Sequence, residues 1–301
     1  MSLTDRAIFT TDTARVGIFR CSVDDPRFPN TGPIENYLVV FPRTGVWIRH
    51  AGSRPFVADP TVVTIYNRGQ VYERRPLCPD GDRGEWYAVS HETALALGRA
   101  VDPAVDDDPA RPFRAQYVAS SAQLYARQRR FFLRVQASAI DAFEAEETIL
   151  DIVATAVRAT RPSAKPPSRR TAEAHRELAL RARAELVRDA GGGTTVSELA
   201  RQLDVSAHHL CRVFKAQTGT TLHAYRLDVR LRLALERLEA CPRSCSVLAH
   251  ELGFSSHSHF TAVFRRRLGF TPSVARQLLA PTAALPQALR GDDRHRRRPA
   301  S

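Results

Sequence analysis

The chain has 301 residues, and 43% of them are hydrophobic, so it is long and apolar enough to form two domains with cores of their own. It carries no apolar run of about 18 residues and no signal-peptide pattern, so we expect a soluble cytoplasmic protein without a membrane segment. The net charge of +12 lies in one part of the chain: residues 161–301 hold 25 Lys or Arg against 12 Asp or Glu, and residues 1–160 hold 19 against 20. Such a confined excess of cations is typical of a module that binds a polyanion.

The five cysteines are odd in number, and no paired CxxC spacing accompanies them. This pattern favours a reducing compartment over a disulfide framework. Cys241 and Cys245, in the sequence CPRSC, are interpreted as structural residues of a loop.

Residues 1–112 consist of short runs rich in β-branched and aromatic residues, separated by Pro, Gly and Asp. The runs are IENYLVVFPR, GVWIRHAG, PTVVTIYNRG, QVYERRP and EWYAVS. This spacing predicts the strands of a barrel or sandwich. The interior of such a fold can hold a small molecule, and the candidate walls are Trp47, Tyr66, Tyr72 and Trp86. The alternative is that these four side chains are ordinary core aromatics.

A metal-dependent enzyme built on such strands needs His and Glu ligands clustered on neighbouring strands. Residues 1–112 contain only His50 and His91, far apart, and Glu73 has no His pair beside it. The chain also has no GxSxG nucleophile motif and no glycine loop for phosphate. We therefore expect no metal, no cofactor and no enzymatic activity.

Residues 113–160 change to helical periodicity and predict two helices. The predicted apolar stripes are Leu124, Phe131, Val135 and Ala139 in the first helix and Ile149, Ile152, Val153 and Val157 in the second. The pair either forms a dimer interface or only covers the strands.

Residues 161–170 are rich in Pro, Ser and Arg and have no apolar periodicity, which predicts a flexible linker. Residues 281–301 are rich in Pro and end in basic residues, which predicts a disordered basic tail. The second domain is therefore predicted over residues 171–280. Its first helix is expected to place Leu178, Ala182 and Leu186 beneath the segment that follows.

One pattern occurs twice between residues 194 and 276. Leu199, Ala200 and Leu203 return 49 positions later as Leu248, Ala249 and Leu252. Phe214, Gly219 and Thr221 return 50 positions later as Phe264, Gly269 and Thr271. The second copy therefore has one extra residue at its turn.

Each copy predicts a helix, a turn and a second helix. In the first copy Ser197 is predicted to cap the first helix, Ser206 to cap the second, and Gly219 to end it with a positive φ. The second copy repeats this logic, with Gly253 at the turn, Ser255 as the cap of the second helix and Gly269 at its end. The sequence therefore predicts two helix-turn-helix motifs.

A Leu- and Arg-rich helix is predicted between the copies, over residues 223–240, with Leu227, Leu231, Leu235 and Leu238 on one face. Its 18 residues span roughly 27 Å at 1.5 Å each. Successive major-groove faces on one side of DNA lie about 34 Å apart. One such rod suits two reading helices held about one DNA turn apart.

The two motifs read ELARQLDVSAHHLCRVFKAQTG and LGFSSHSHFTAVFRRRLGFTPSVAR. With the helix between them, they resemble the C-terminal DNA-binding domain of the AraC/XylS family of transcription regulators. The resemblance covers about residues 172–279. It implies that the second helix of each motif enters the major groove of DNA.

The residues that face outward on these two helices are His208, Cys211, Arg212 and Lys215 in the first motif and His257, Ser258, Thr261 and Arg265 in the second. Arg212 is the foremost candidate for a base contact, because a guanidinium can pair bidentately with guanine. The alternative for any of the eight is a solvated position or a phosphate contact, which positions the protein without reading sequence.

The resemblance further implies an α+β chain: an N-terminal cupin-like β-barrel with a helical linker, then an all-α double helix-turn-helix domain. It implies a promoter-binding regulator, more often an activator, that has RNA polymerase as a partner, dimerises and responds to a small-molecule effector. Three alternatives stay open. The first is a metal-dependent cupin-type enzyme with a DNA-binding appendix. The second is a DNA-repair methyl acceptor, for whose zinc site Cys21 and Cys78 alone are too few, and the third is a metal site formed by His208, His209, His257 and His259.

Overall fold

The computed structural model describes residues 3–160, 169–240 and 244–279. The predicted linker lies largely outside the described residues, and the predicted tail over 281–301 and Cys241 lie outside them entirely. The predicted mixed class is confirmed, with strands in residues 3–119 (the sheet region) and helices in residues 169–279 (the helical region).

The five predicted strands are present, together with others that the sequence did not reveal. The strands are β1 Thr4–Thr10, β2 Ala14–Cys21, β3 Asn30–Thr31, β4 Tyr37–Pro42, β5 Val46–His50, β6 Phe56–Ala58, β7 Val62–Tyr66, β8 Tyr72–Pro76, β9 Asp82–Val89 and β10 Tyr117–Ala119. They form a larger sheet in the order β1-β2-β9-β4-β7-β10 and a smaller one in the order β3-β8-β5-β6. The neighbouring strands of both sheets are antiparallel.

The two sheets share an apolar cluster, but no hydrogen-bonded ladder in the described part of the chain closes them into a barrel. The chain passes from the smaller to the larger sheet after Ala58, where β6 ends after three residues. Asp59 forms the turn there, accepting hydrogen bonds from the backbone N–H and the hydroxyl of Thr61 at 2.7 and 2.6 Å. The closed cupin-like barrel is therefore not confirmed, and the observed arrangement is two facing sheets.

The helices are α1 His91–Arg99, α2 Ala122–Gln136, α3 Ala142–Arg158, α4 Arg169–Arg188, α5 Val196–Gln202, α6 Ala207–Thr218, α7 Leu222–Ala240, α8 Cys245–Glu251, α9 His257–Leu268 and α10 Pro272–Leu279. The expectation of strands alone before residue 113 is wrong at α1. The Ser90 hydroxyl caps that helix by accepting from the N–H of Thr93, and Ala94 is buried beneath it. None of the helices in the described ranges is long and apolar enough to cross a membrane.

Helices α2 and α3 pack on the face of the larger sheet that points away from the smaller one. The predicted stripe of α3 is confirmed, because Ile149, Ile152, Val153 and Val157 are all buried. The stripe predicted for α2 is too narrow. Its Phe131 and Val135 are buried, but Ala139 lies exposed beyond the helix end, and Tyr125, Gln128, Arg129 and Phe132 are buried as well. The reason is that α2 lies between the sheet and the helical region, contacting α9 and α10 on its other side.

The internal repeat has a direct structural counterpart. Helices α5 and α8 have seven residues each and start 49 positions apart, whereas α6 and α9 have twelve each and start 50 positions apart. The extra residue therefore lies in the turn of the second motif, as predicted. The two turns use a positive φ at equivalent places, Asp204 with φ 58° and Gly253 with φ 70°.

Helix α7 supplies apolar side chains to both motifs. Leu227, Leu231, Leu235 and Leu238 join the core of the second motif, as predicted for one face. Leu222, Tyr225 and Val229 join the core of the first. The predicted packing of α4 is also confirmed, because Leu178, Ala182 and Leu186 lie in the core of the first motif.

The helical region is docked on the sheet region through buried polar groups. In one group, the Asp59 cluster (Asp59, Arg183 and Tyr225), the carboxylate of Asp59 accepts from the guanidinium of Arg183 at 2.8 Å and from the hydroxyl of Tyr225. Arg183 lies on α4 and Tyr225 on α7. Asp59 itself has no exposed surface.

The second group, the Glu85 cluster, joins β9 to α2 and α7 and consists of Glu85, Arg43, Arg129, Tyr125 and Glu236. Glu85 pairs with Arg43 at 3.3 Å and with Arg129, and Arg43 also pairs with Glu236. Glu236 accepts from the Tyr125 hydroxyl at 3.0 Å. Burial opposes the charge on Glu236, but Arg43 and Arg129 together hold the pKa of its carboxyl below the ordinary value.

Candidate nucleic-acid interface

The second helix of each motif begins and ends in the same way. The Ser206 hydroxyl accepts from the N–H of His209 at 3.2 Å to start α6, and the Ser256 hydroxyl accepts from the N–H of His259 at 3.1 Å to start α9. Each helix ends at a glycine in the left-handed region, Gly219 with φ 74° and Gly269 with φ 88°. These features were predicted, except that Ser256 rather than Ser255 caps α9.

The cap of α5 differs from the prediction. Thr195 caps this helix, and not Ser197: its hydroxyl accepts from the N–H of Glu198 at 3.2 Å, while the Glu198 carboxylate accepts from the N–H of Thr195 at 2.7 Å. This reciprocal pair is a capping box, which satisfies two backbone donors at once. The TxxE spacing at Thr195 is the signal in the sequence that identifies it.

The inner faces of α6 and α9 fix both helices on their cores. The buried residues are Leu210, Val213 and Phe214 in α6 and Phe260, Val263, Phe264 and Leu268 in α9. Because one side of each helix is anchored, the opposite side is presented to solvent as a rigid surface.

The four residues predicted to face outward on α6 do so. His208, Cys211, Arg212 and Lys215 are all exposed. The Arg212 guanidinium lies 3.4 Å from Nδ1 of His209, one turn earlier on the same helix. This contact positions the guanidinium without covering it.

On α9, His257, Ser258 and Arg265 are exposed and Thr261 is half-buried. The Thr261 hydroxyl lies 3.4 Å from Nε2 of His257. Arg266 is also exposed, beside Arg265, and was not among the predicted residues, although the run of three arginines is the signal in the sequence that could have identified it. The next residue, Arg267, is partly buried and lies 3.9 Å from Asp228 of α7.

The charge of these two helices has one sign. Helix α6 contains one Arg and one Lys, α9 contains three Arg, and neither contains Asp or Glu. An acid-free basic face on two similarly built helices is chemically suited to the phosphates and base edges of a nucleic acid.

One alternative from the sequence was a metal site formed by four histidines of the two motifs. In the structure His209 packs against His175 of α4, with ring centroids 5.6 Å apart, whereas His259 packs against Phe254. Within the ranges that the structure describes, no three His, Cys, Asp or Glu side chains meet as potential metal ligands.

Known proteins match the same part of the chain. A family described as a helix-turn-helix domain matches residues 199–278. The transcriptional regulator GlxA of Rhizobium meliloti is 40% identical over 80 residues, which are 26% of this chain and 24% of GlxA. The transcriptional activator RhaS of Escherichia coli is 35% identical over 79 residues, 26% of this chain and 28% of RhaS.

Residues 199–278 are therefore similar to the helix-turn-helix domains of these transcription regulators, which supports the predicted AraC/XylS type for this part of the chain. A solved AraC-type regulator from Chromobacterium violaceum is similar at 26% identity, covering 35% of this chain and 94% of that one with a TM-score of 0.33. The chain spans about a quarter of the length of the relatives that it matches. The sequence matches thus concern the helical region.

Outside the two motifs, a cavity of about 650 Å³ lies between the two sheets and opens to solvent beside exposed residues of β1 and β2. Three of the four predicted wall residues line it, namely Tyr66, Tyr72 and Trp86. Trp86 lies across Gly17, where a Cβ would collide with the indole ring, and its Nε1 donates to Asp5 at 2.8 Å.

Trp47 does not line this cavity, which corrects its selection as a wall. Side chains alternate along β5, so Ile48 faces the cavity and Trp47 points to the other side of the smaller sheet. There Trp47 packs against Val57, Leu77 and Ala184 of α4. The sequence pattern could not distinguish the two faces, since both are covered.

His50 packs against the cavity-lining Tyr66, with their ring centroids 5.0 Å apart, and is only 1% exposed. Burial, assisted by the charge of Arg111, lowers the pKa of His50 to about 4. Its ordinary value in an unfolded chain is about 6.5, so the unfolded state takes up the proton first as the pH falls.

The stability that depends on neutral His50 is therefore complete above about pH 6.5 and is lost as the pH falls towards 4. We expect the free energy of unfolding to fall by roughly 2–3 kcal/mol between pH 7 and 4.5 from this group, at about 1.4 kcal/mol per pKa unit. Urea denaturation of wild type and His50→Phe at both pH values measures it. Between these pH values the free energy of unfolding of the variant should fall by roughly 2–3 kcal/mol less than that of wild type. An equal fall in the two proteins would contradict the assignment.

Proposed function

We propose that the chain is a sequence-specific transcription regulator that binds promoter DNA through both helix-turn-helix motifs, with α6 and α9 each in the major groove. The observation that carries this proposal is the pair of matching helices with exposed, acid-free basic faces inside an AraC-type domain. The relatives named as transcriptional regulators support it for the part of the chain that they match. They also favour a regulator over the enzyme alternative.

In this proposal His208, Cys211, Arg212 and Lys215 contact one groove segment and His257, Ser258, Thr261 and Arg265 contact the next. Arg212 reads a guanine, because its guanidinium is exposed and held by His209. Lys215, one turn further along α6, contacts phosphate as a point charge. The Ala262 position between the outward residues of α9 offers only apolar contact.

The remaining parts of the chain have proposed roles of their own. Residues 1–112 form the effector domain, an open relative of the cupin-like barrel; 113–160 form the dimerisation and connecting helices; 161–170 the linker; 171–280 the DNA-binding domain; and 281–301 a basic tail. The side chain of Phe143 on α3 is 81% exposed, which supports a homodimer contact on that helix. RNA polymerase is the partner of an activator bound at a promoter, and the protein then works in the cytoplasm, on the nucleoid.

Replacing Arg212 by alanine tests the reading of bases. We expect the affinity for the cognate promoter site to fall by about 1–3 kcal/mol and the base preference to relax at one position, because one bidentate contact is lost. Electrophoretic mobility shifts against the cognate site and a set of single-base variants measure both effects.

Lys215→Ala is the matched variant on the same helix. It should weaken binding to all sequences by a similar factor and reduce the slope of log K against log salt by about one. If Arg212→Ala behaves in this way too, Arg212 contacts only phosphate. If neither variant changes DNA binding, α6 is not the reading helix.

A further inference from the structure

The cavity between the two sheets has aromatic and aliphatic walls. Phe19, Tyr66, Tyr72 and Trp86 supply rings, and Leu38, Val40, Ile48 and Ala58 supply aliphatic surface. A volume of about 650 Å³ lies within the range of small-molecule sites. Planar or bulky apolar groups would therefore find complementary surface on most sides.

The charged groups inside the cavity neutralise one another. Arg74 and Asp82 pair at 2.6 Å, and the Arg74 Nε also donates to the carbonyl of Phe28 at 2.7 Å. The guanidinium lies 4.8 Å from the ring of Phe19. Burial works against the charge on Arg74, but Asp82 more than compensates and keeps the pKa of Arg74 above its ordinary value.

The phenols of the wall are neutral too. Burial raises the pKa of both Tyr66 and Tyr72 well above the ordinary value, so both hydroxyls keep their protons at physiological pH. They can donate and accept hydrogen bonds without adding charge to the cavity.

The mouth of the cavity is balanced as well. Its cations are Arg6, Arg15 and Arg27, and the acids at or beside it are Asp5, Asp25 and Glu35. Arg27 pairs with Asp25 at 2.8 Å, and Asp5 accepts from Trp86. The other three charged residues, Arg6, Arg15 and Glu35, are exposed to water. Water screens their electrostatic interaction with a ligand inside the cavity.

We propose that this cavity binds an uncharged, largely aromatic small molecule and discriminates against organic anions and cations of the same shape. This rests on the proposed function, in which the cavity is the effector site. A charged ligand leaves water for walls whose buried ions, Arg74 and Asp82, are already paired with each other, and an anion at the Arg74 guanidinium competes with Asp82. A neutral ligand gains free energy from the burial of its rings and does not have to remove a charge from water.

Three probes that share a biphenyl body separate charge from shape: 4-phenylbenzyl alcohol, 4-phenylbenzoate and 4-phenylbenzylammonium. Isothermal titration calorimetry on the full chain should give an affinity for the alcohol at least tenfold higher than for either ion. The inference is overturned if an ion binds as tightly as the alcohol, or if none of the three binds.

Two variants link the preference to the cavity. Asp82→Asn leaves Arg74 without its anion and should shift the preference at least tenfold towards the benzoate, whereas Arg74→Met with Asp82→Asn, which holds no net charge, should restore the preference for the alcohol. Ala58→Leu fills part of the cavity and should lower the affinity for the alcohol at least tenfold. An unchanged affinity in Ala58→Leu, or an unchanged preference in Asp82→Asn, would place the probe elsewhere and refute the inference. Should Asp82→Asn fail to fold, the double variant and Ala58→Leu still decide.

Mobility shifts of the same protein on promoter DNA separate this inference from the proposed function. A chain that binds DNA but does not prefer the alcohol retains its function and loses only the ligand assignment. A chain that prefers the alcohol but does not bind DNA retains the cavity assignment and loses the function.

Discussion

Replacing Asp59 by alanine is expected to lower the free energy of unfolding by about 3–5 kcal/mol, since removal of one partner leaves a buried charge uncompensated. The carboxylate of Asp59 accepts from Arg183 and Tyr225, and Arg183 is only 7% exposed. Without Asp59, the guanidinium of Arg183 remains inside the contact between the sheet region and α4. Urea denaturation at pH 7 measures the loss.

The chain offers a matched control for this prediction. Arg54 and Glu173 also join the sheet region to α4, at 3.2 Å, but both side chains are more than 60% exposed. Glu173→Ala should cost less than about 1 kcal/mol, because water screens that pair. The double variant Asp59→Leu with Arg183→Met removes both buried charges and should recover much of the loss. Equal effects of Asp59→Ala and Glu173→Ala would contradict the role given to burial.

The second large effect is expected for Phe264→Ala, at about 3–5 kcal/mol, through the cavity left in the core of the second motif. The Phe264 side chain has no exposed surface and contacts the rings of Phe260 and Phe270, with centroids 5.4 and 6.0 Å apart. Helix α9 would lose a buried side chain that packs it on its core, whereas the packing of α6 would be unchanged. Thermal denaturation measures the stability, and footprinting on promoter DNA should show the protection by α9 lost before that by α6.

Two other variants separate stability from contact. Arg265 lies on the exposed side of α9. Its replacement by alanine should weaken DNA binding with little change in the free energy of unfolding. Phe214→Ala is the equivalent core change in the first motif and should reverse the order in which the footprint is lost. If Phe264→Ala and Phe214→Ala remove the same half of the footprint, the two motifs do not act as separate readers.

The helix-turn-helix pair could be predicted closely because its signals are local. Apolar spacing, capping serines and terminal glycines act within a few residues, and Ser206, Gly219 and Gly269 do what their positions predicted. Two caps were predicted one or two residues away from their positions. Thr195 and not Ser197 caps α5, because the side chain of Glu198 completes the capping box, and Ser256 and not Ser255 caps α9.

The sheet region was less predictable for the opposite reason. Strand pairing joins segments that are distant in sequence, and β1 and β2 were not predicted. The side of the smaller sheet on which the Trp47 side chain lies depends on the strand register, which the sequence alone does not reveal. The cavity walls Tyr66, Tyr72 and Trp86 were selected on residue type, but the ion pair of Arg74 and Asp82 among them was not.

By itself the sequence determined the duplicated motif and the outward faces of α6 and α9, since these follow from periodicity along a helix, and it determined the sign and location of the charge through its composition. Only the tertiary structure decided that charged residues such as Asp59 and Arg183 are buried where the helical region meets the sheet region. In the sequence they look like surface residues, because the partners that compensate their charge are far away along the chain; Asp59 and Tyr225 are 166 positions apart. A buried charge is tolerated only where the fold brings its partner to it, and that meeting is a property of the whole fold rather than of any segment.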